Sequence, residues 1–119
     1  MSDSPILIVE ENAAQLAVLL PMVGGTSYPV RCAMTGSYAL ETLRTSTPVL
    51  VICDSVLSDM SSSQIVRHIR QDERLSDTKL IIIAEASGNV PDSELADCIL
   101  IKPIRKLDLL KAIGAMLEG

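Results

Sequence analysis

Five short apolar runs, rich in β-branched residues, alternate along the chain with segments whose apolar positions repeat at helical spacing. The runs fall at about residues 6–9, 28–33, 49–53, 80–84 and 98–101. Continuous apolar runs of this length are what strands buried on both faces of a parallel sheet require. After the first run, Asn12 can cap a helix that carries Leu16, Leu19, Leu20 and Val23 on one face. Pro21 disturbs its last turn and Gly24-Gly25 ends it. A second helix, at about 37–45, turns Ala39, Leu40 and Leu43 inward. A third is capped by one of the serines at 61–63 and buries Ile65, Val66 and Ile69. A last helix, at about 106–117, presents Leu109, Leu110, Ile113, Met116 and Leu117 to the core. Pro29 inside the second run marks an edge strand, because proline cannot donate to a ladder. Residues 85–97 are a tight connection with Gly88, Asn89 and Pro91 in its first half, so any helix there starts near Pro91 or Asp92 and lasts one or two turns.

Alternating strands and helices predict an α/β fold, a doubly wound five-stranded parallel sheet with helices on both faces. Right-handed crossovers limit the topologies, and an edge second strand agrees with the order 2-1-3-4-5. The fourth helix is expected to be short or remodelled. Ligands of such sheets bind outside the carboxyl ends of the strands. Three of the runs end on charge: the first on Glu10-Glu11, the third on Asp54, the fifth on Lys102-Pro103. With strands one and three adjacent, Glu10, Glu11 and Asp54 converge.

Composition narrows the field. The length of 119 residues suits a single domain covering 1–119. Hydrophobic content of 48% supplies a core, but with no Phe, no Trp and two Tyr that core is aliphatic and offers no stacking platform for bases. A net charge of −5 excludes a basic nucleic-acid footprint. No apolar stretch is long enough to span a membrane, so a soluble, cytoplasmic protein is expected. Cys32, Cys53 and Cys98 are odd in number and form no C-x-x-C, which reads as small buried hydrophobes rather than a metal or disulfide site. His68 has polar neighbours and reads as a surface residue.

Taken singly, Asp54 reads as a turn residue, Glu10-Glu11 as charges favouring a helix dipole, and Lys102 as a solvated lysine. Together they are a charge cluster with a chemistry. Three neighbouring carboxylates cannot all stay ionised unless pKa values rise or a cation neutralises them. Mg²⁺ suits hard oxygen ligands. A carboxylate beside it can attack a phosphoryl group and form an aspartyl phosphate, with a lysine neutralising the transferring oxygens.

The order and spacing of Ile6-Leu7-Ile8-Val9-Glu10-Glu11-Asn12, of Val49-Leu50-Val51-Ile52-Cys53-Asp54, of Leu57-Ser58-Asp59-Met60 and of Ile101-Lys102-Pro103-Ile104 resemble those of the receiver domains of two-component response regulators, over 6–117. The resemblance implies that a histidine kinase or a histidine phosphotransfer protein donates a phosphoryl group to Asp54. It implies Mg²⁺ held by Glu10, Glu11, Asp54 and the backbone carbonyl of Val56. It also implies a phosphoryl contact from Lys102 and a peptide bond before Pro103 that is commonly cis. Such a domain promotes its own phosphorylation but is not usually called an enzyme.

Several positions depart from the family's pattern. Glu11 stands where Asp is favoured, and one extra methylene moves the carboxylate by about 1.5 Å. The loop after Asp54 has lost its usual proline and glycine. Ala84 replaces the Ser or Thr that bonds the phosphoryl group, and Ile99 replaces the aromatic residue that turns inward on activation. These losses favour an alternative, a pseudo-receiver that serves as a phosphorylation-independent interaction module. A small flavodoxin-like cofactor binder fits less well, since Glu10-Glu11 would repel phosphate. The last helix's aliphatic residues read as core, with a homodimer surface as the other reading. Whether an effector domain follows in a longer chain is open at this point.

Overall fold

The computed structural model describes residues 4–117. Its strands are β1 (Ile6–Val9), β2 (Val30–Ala33), β3 (Leu50–Asp54), β4 (Lys79–Ala84) and β5 (Cys98–Ile101). Its helices are α1 (Ala13–Gly24), α2 (Gly36–Thr45), α3 (Ser62–Gln71) and α4 (Lys106–Leu117). All strand pairs are parallel, in the order β2-β1-β3-β4-β5. The expected doubly wound α/β architecture is therefore the observed one.

The central strands carry apolar side chains on both faces because both faces are covered. Leu7, Val9, Val51, Cys53, Leu80 and Ile82 pack with α2 and α3 residues. Ile6, Ile8, Leu50, Ile52, Ile81 and Ile83 pack with α1 and α4. The register sets Val9 opposite Cys53 and Asp54 opposite Ile83, which brings the ends of β1, β3 and β4 level.

Local chemistry sets the helix starts. The Asn12 side chain accepts from the Gln15 N–H, and Thr35 accepts from Tyr38. Ser61 closes a reciprocal capping box with Gln64. The Asp59 carboxylate accepts from the Gly36 and Ser37 N–H groups, each at 2.9 Å, and so ties the loop after β3 to the start of α2. Those two hydrogen bonds, Ser37 first, lower its pKa.

Some expectations are corrected. Pro29 lies before β2, not inside it; its carbonyl still accepts from the Ile6 N–H at 2.8 Å, and β2 is an edge strand. β3 begins at Leu50 and includes Asp54. α1 runs on through Pro21 to Gly24. In α4 only Leu109 and Ile113 are fully buried, while Leu110, Met116 and Leu117 are half-buried. His68 is half-buried rather than on the surface, and its Nε2 has no hydrogen-bond partner.

In residues 85–97 the connection is as short as expected, a single 3₁₀ turn, Ser93–Leu95. Asp92 precedes it with φ of 60°, a left-handed conformation that breaks a helix before it starts. Two arginines of α3 hold the segment. Arg67 Nε is 2.7 Å from Asp92 Oδ2, which also accepts from the Ser63 hydroxyl. Arg70 donates to Leu95 O, Thr78 O and the Asp97 carboxylate at 2.9, 2.9 and 2.7 Å. With no helix laid over β5, Ile99 and Ile101 are left 37% and 49% exposed.

Candidate functional site

The carboxyl ends of β1, β3, β4 and β5 form one cleft of about 330 Å³, lined by Glu10, Glu11, Asp54, Val56, Glu85 and Lys102 among others. Asp54 is its floor, 2% exposed at the end of β3. Its Oδ1 accepts from the Val56 N–H at 2.8 Å. Its Oδ2 is buried with no aligned hydrogen bond, and the Lys102 ammonium stands 2.8 Å away. Lys102 follows β5, and its N–H bonds Ala84 O at 2.9 Å, which anchors its backbone beside β4. The Lys102–Pro103 peptide is cis.

Glu10 follows β1 and is as buried as Asp54, at 2% exposure. It accepts from the Asn12 N–H at 3.1 Å. Burial, then hydrogen bonding with Asp54 and its charge, push Glu10 up to about 7, against the pull of the Asn12 N–H and Lys102. For Lys102, burial acts to lower the pKa, but bonding to Asp54 and Glu85 outweighs it and the net shift is upward. The cleft therefore holds more negative than positive charge and keeps Lys102 an ammonium. Cys53 takes no part: burial, then the charges of Asp54 and Glu10, raise its thiol to about 12.

Of the candidates read from sequence, Glu10, Asp54 and Lys102 are brought together. Glu11 lines the same cleft, but its carboxylate accepts from the Ser58 N–H and so is spent on the loop after β3. Val56 is at the rim and exposed. Ala84 is buried at the end of β4 and presents no hydroxyl, and Ile99 lies on β5 one step before Leu100. Among the described residues, no three carboxylate, histidine or cysteine side chains are gathered as a metal cage. Two observations nevertheless suit a hard divalent cation. Asp54 Oδ2 is an under-satisfied buried oxygen, and a second buried carboxylate lies beside it.

Glu85 was missed by sequence reasoning. It is the residue after β4, and its carboxylate is 3.2 Å from Lys102 Nζ. The signal was the one that found Asp54, an acid closing an apolar run, here Ile81-Ile82-Ile83-Ala84-Glu85.

The family model described as the response regulator receiver domain matches residues 6–114. The Regulator of RpoS of Escherichia coli K12 is 29% identical over 111 residues, covering 89% of this chain and 32% of that protein. The chain thus spans about a third of the length of the curated relatives it matches. The signal receiver domain of a signal transduction histidine kinase from Syntrophus aciditrophicus superposes with a TM-score of 0.88 at 25% identity, over 98% of this chain and 91% of that one. The response regulator TrrA of Thermotoga maritima, solved in complex with Mg²⁺-BeF, superposes with a TM-score of 0.85 at 23% identity, over 96% and 99% of the two chains. No helix among the described residues is long and apolar enough to cross a membrane. With strand order, the acidic cleft and the family match in agreement, the chain belongs to the response regulator receiver domain family.

Proposed function

We propose that this chain is one phosphoacceptor receiver domain, taking a phosphoryl group onto Asp54 from the phosphohistidine of a histidine kinase or phosphotransfer protein. The observation that carries the reading is the Asp54–Lys102 pair, a nearly buried carboxylate whose Oδ2 faces an ammonium at 2.8 Å. In the transfer, an Asp54 oxygen forms a bond to phosphorus while the P–N bond to the donor imidazole breaks. The bonding electrons return to the ring, which leaves neutral when its other nitrogen already carries a proton. Lys102 balances the negative phosphoryl oxygens. The domain acts as a signalling module rather than a turnover enzyme.

Glu10 and Asp54 would hold Mg²⁺, with Glu11 and the Val56 carbonyl joining once Glu11 exchanges its contact with Ser58. The bound cation supplies charge neutralisation at the phosphoryl oxygens. TrrA, with Mg²⁺-BeF in its own structure, supports the reading by analogy of fold. A partner of the kinase class, and an effector region in a longer chain, agree with relatives about three times this chain's length.

A second reading, the phosphorylation-independent interaction module, draws support from Ala84 and from the engagement of Glu11 with Ser58. Mass spectrometry after acetyl phosphate and Mg²⁺ separates the two. A phosphoryl adduct absent from Asp54→Asn is expected. Failure of every small donor and of a cognate kinase to modify the protein would leave only the second reading.

A further inference from the structure

Glu85 sits in the cleft without a part in the transfer described above. Its backbone is fixed by a turn in which its carbonyl accepts from the Gly88 N–H at 3.1 Å. Its side chain returns to Lys102 Nζ at 3.2 Å, the same ammonium that lies 2.8 Å from Asp54. Among the described residues, Lys102 is the cation paired with it. The two carboxylates sharing that ammonium are placed unequally. Asp54 is 2% exposed at the floor, and the Glu85 side chain is 56% exposed at the rim. A phosphoryl donor entering the cleft therefore passes a fixed negative charge. Its oxygens must then compete for an ammonium that Glu85 already holds.

We propose that Glu85 is a positioning residue that sets donor selectivity at Asp54: by holding Lys102 and keeping the rim negative, it slows capture of small polyanionic phosphoryl donors relative to donors of lower charge. The inference rests on Asp54 being the phosphoacceptor. With acetyl phosphate the step is balanced as before. An Asp54 oxygen bonds phosphorus, the bridging P–O bond breaks, and its electron pair leaves with acetate. Glu85 touches none of the reacting atoms and acts through Lys102 and through its own field.

That field has a known reach. Screening lengths are about 10 Å at 0.1 M salt and about 3 Å at 1 M, so a rim charge acts in the first condition and fades in the second. Charges lining a cleft alter capture of charged ligands by about 10-fold to 1,000-fold, and one exposed charge belongs at the low end of that range.

The test is the rate of Asp54 modification, followed by intact-protein mass spectrometry with Mg²⁺, for wild type, Glu85→Gln and Glu85→Asp. Asp54→Asn defines the background. With acetyl phosphate at low salt, Glu85→Gln is expected to react roughly 5–10-fold faster than wild type, falling below about 2-fold at 1 M salt. With phosphoramidate, which carries less charge near neutral pH, the gain is smaller. Glu85→Asp keeps the charge and stays within about 2-fold of wild type. Equal or slower reaction of Glu85→Gln, or a gain indifferent to salt and donor, overturns the inference while leaving Asp54 as phosphoacceptor. Absence of any adduct in wild type and Glu85→Gln alike, with both donors, overturns this inference, and the phosphoacceptor reading falls with it only when a cognate kinase also leaves Asp54 unmodified.

Discussion

Replacing Glu10 by Gln should flatten the pH dependence of stability, and the structure sets both sign and size. In the unfolded chain Glu10 titrates near 4.5; in the folded cleft it titrates near 7. Below about 4.5 both states carry the proton and the site is neutral toward folding. Between the two values the folded state still holds a proton that the unfolded chain has released, so rising pH favours unfolding. The stability is lost as pH climbs through about 7, after which the penalty is complete and constant. At about 1.4 kcal/mol per pH unit the displacement is worth about 3 kcal/mol. The cleft is open to water past Glu85, and screening there reduces this to about 1–2 kcal/mol. Gln keeps the side-chain oxygen that accepts from the Asn12 N–H but cannot ionise.

Urea unfolding in EDTA, at intervals from about pH 4 to 8.5, measures the effect as a difference between the two proteins, so that the other carboxylates cancel. Wild type should lose about 1–2 kcal/mol relative to Glu10→Gln across that range, with most of the change below pH 7.5. Parallel curves would mean that Glu10 is not held against Asp54 in a shielded cleft, and the charge argument for the site would fail.

Two structural predictions can be checked in the same way. Arg70→Met removes the donors to Leu95 O, Thr78 O and Asp97; a loss of about 2–3 kcal/mol is expected by urea unfolding, with faster amide exchange across 92–97, and unchanged exchange there would refute the clamp. Gly36→Ala places a methyl 2.5 Å from Met60 Cγ and 3.1 Å from Asp59 Oδ1. A cost of about 1–3 kcal/mol is expected, partly relieved by adding Met60→Ala, and an equally stable single variant would show that Met60 swings clear.

The parts of the fold legible in the sequence were those set by local pattern. β-branched runs located the five strands, Asn12 announced α1, and the serines at 61–63 contained the cap of α3. The edge position of β2 followed from Pro29 even though that residue lies just outside the strand. The parts that escaped depend on partners far apart in sequence. Nothing local marks Arg67 and Arg70 as a clamp, because Asp92, Leu95 and Asp97 lie 25 to 27 residues away. The shortness of residues 85–97 was legible in Gly88, Asn89 and Pro91, but without those partners the left-handed Asp92 had no visible cause. The same holds for Glu11, whose place at the cleft followed from β1 but whose contact with Ser58 spans 47 residues. His68 was misjudged because its polar neighbours along the helix do not report what packs over it.

These observations bear on how a change at Asp54 could leave the cleft. A hydroxyl at the end of β4 would tie a phosphoryl group to the segment that follows, and Ala84 removes that tie. The far half of the segment, from Asp92 to Asp97, is bound instead to α3 through Arg67 and Arg70, and neither arginine contacts the cleft. Its near half is connected to Asp54 by one described charge contact, Lys102 to Glu85. A phosphoryl group on Asp54 would compete for that ammonium. Whatever Lys102 gives to phosphate is withdrawn from Glu85, at the first position of the turn that ends at Gly88. The missing hydroxyl at Ala84 and the neighbouring Glu85 carboxylate thus have opposite effects. One removes an attractive link between phosphate and β4, and the other supplies an electrostatic link through Lys102 to the same stretch of chain.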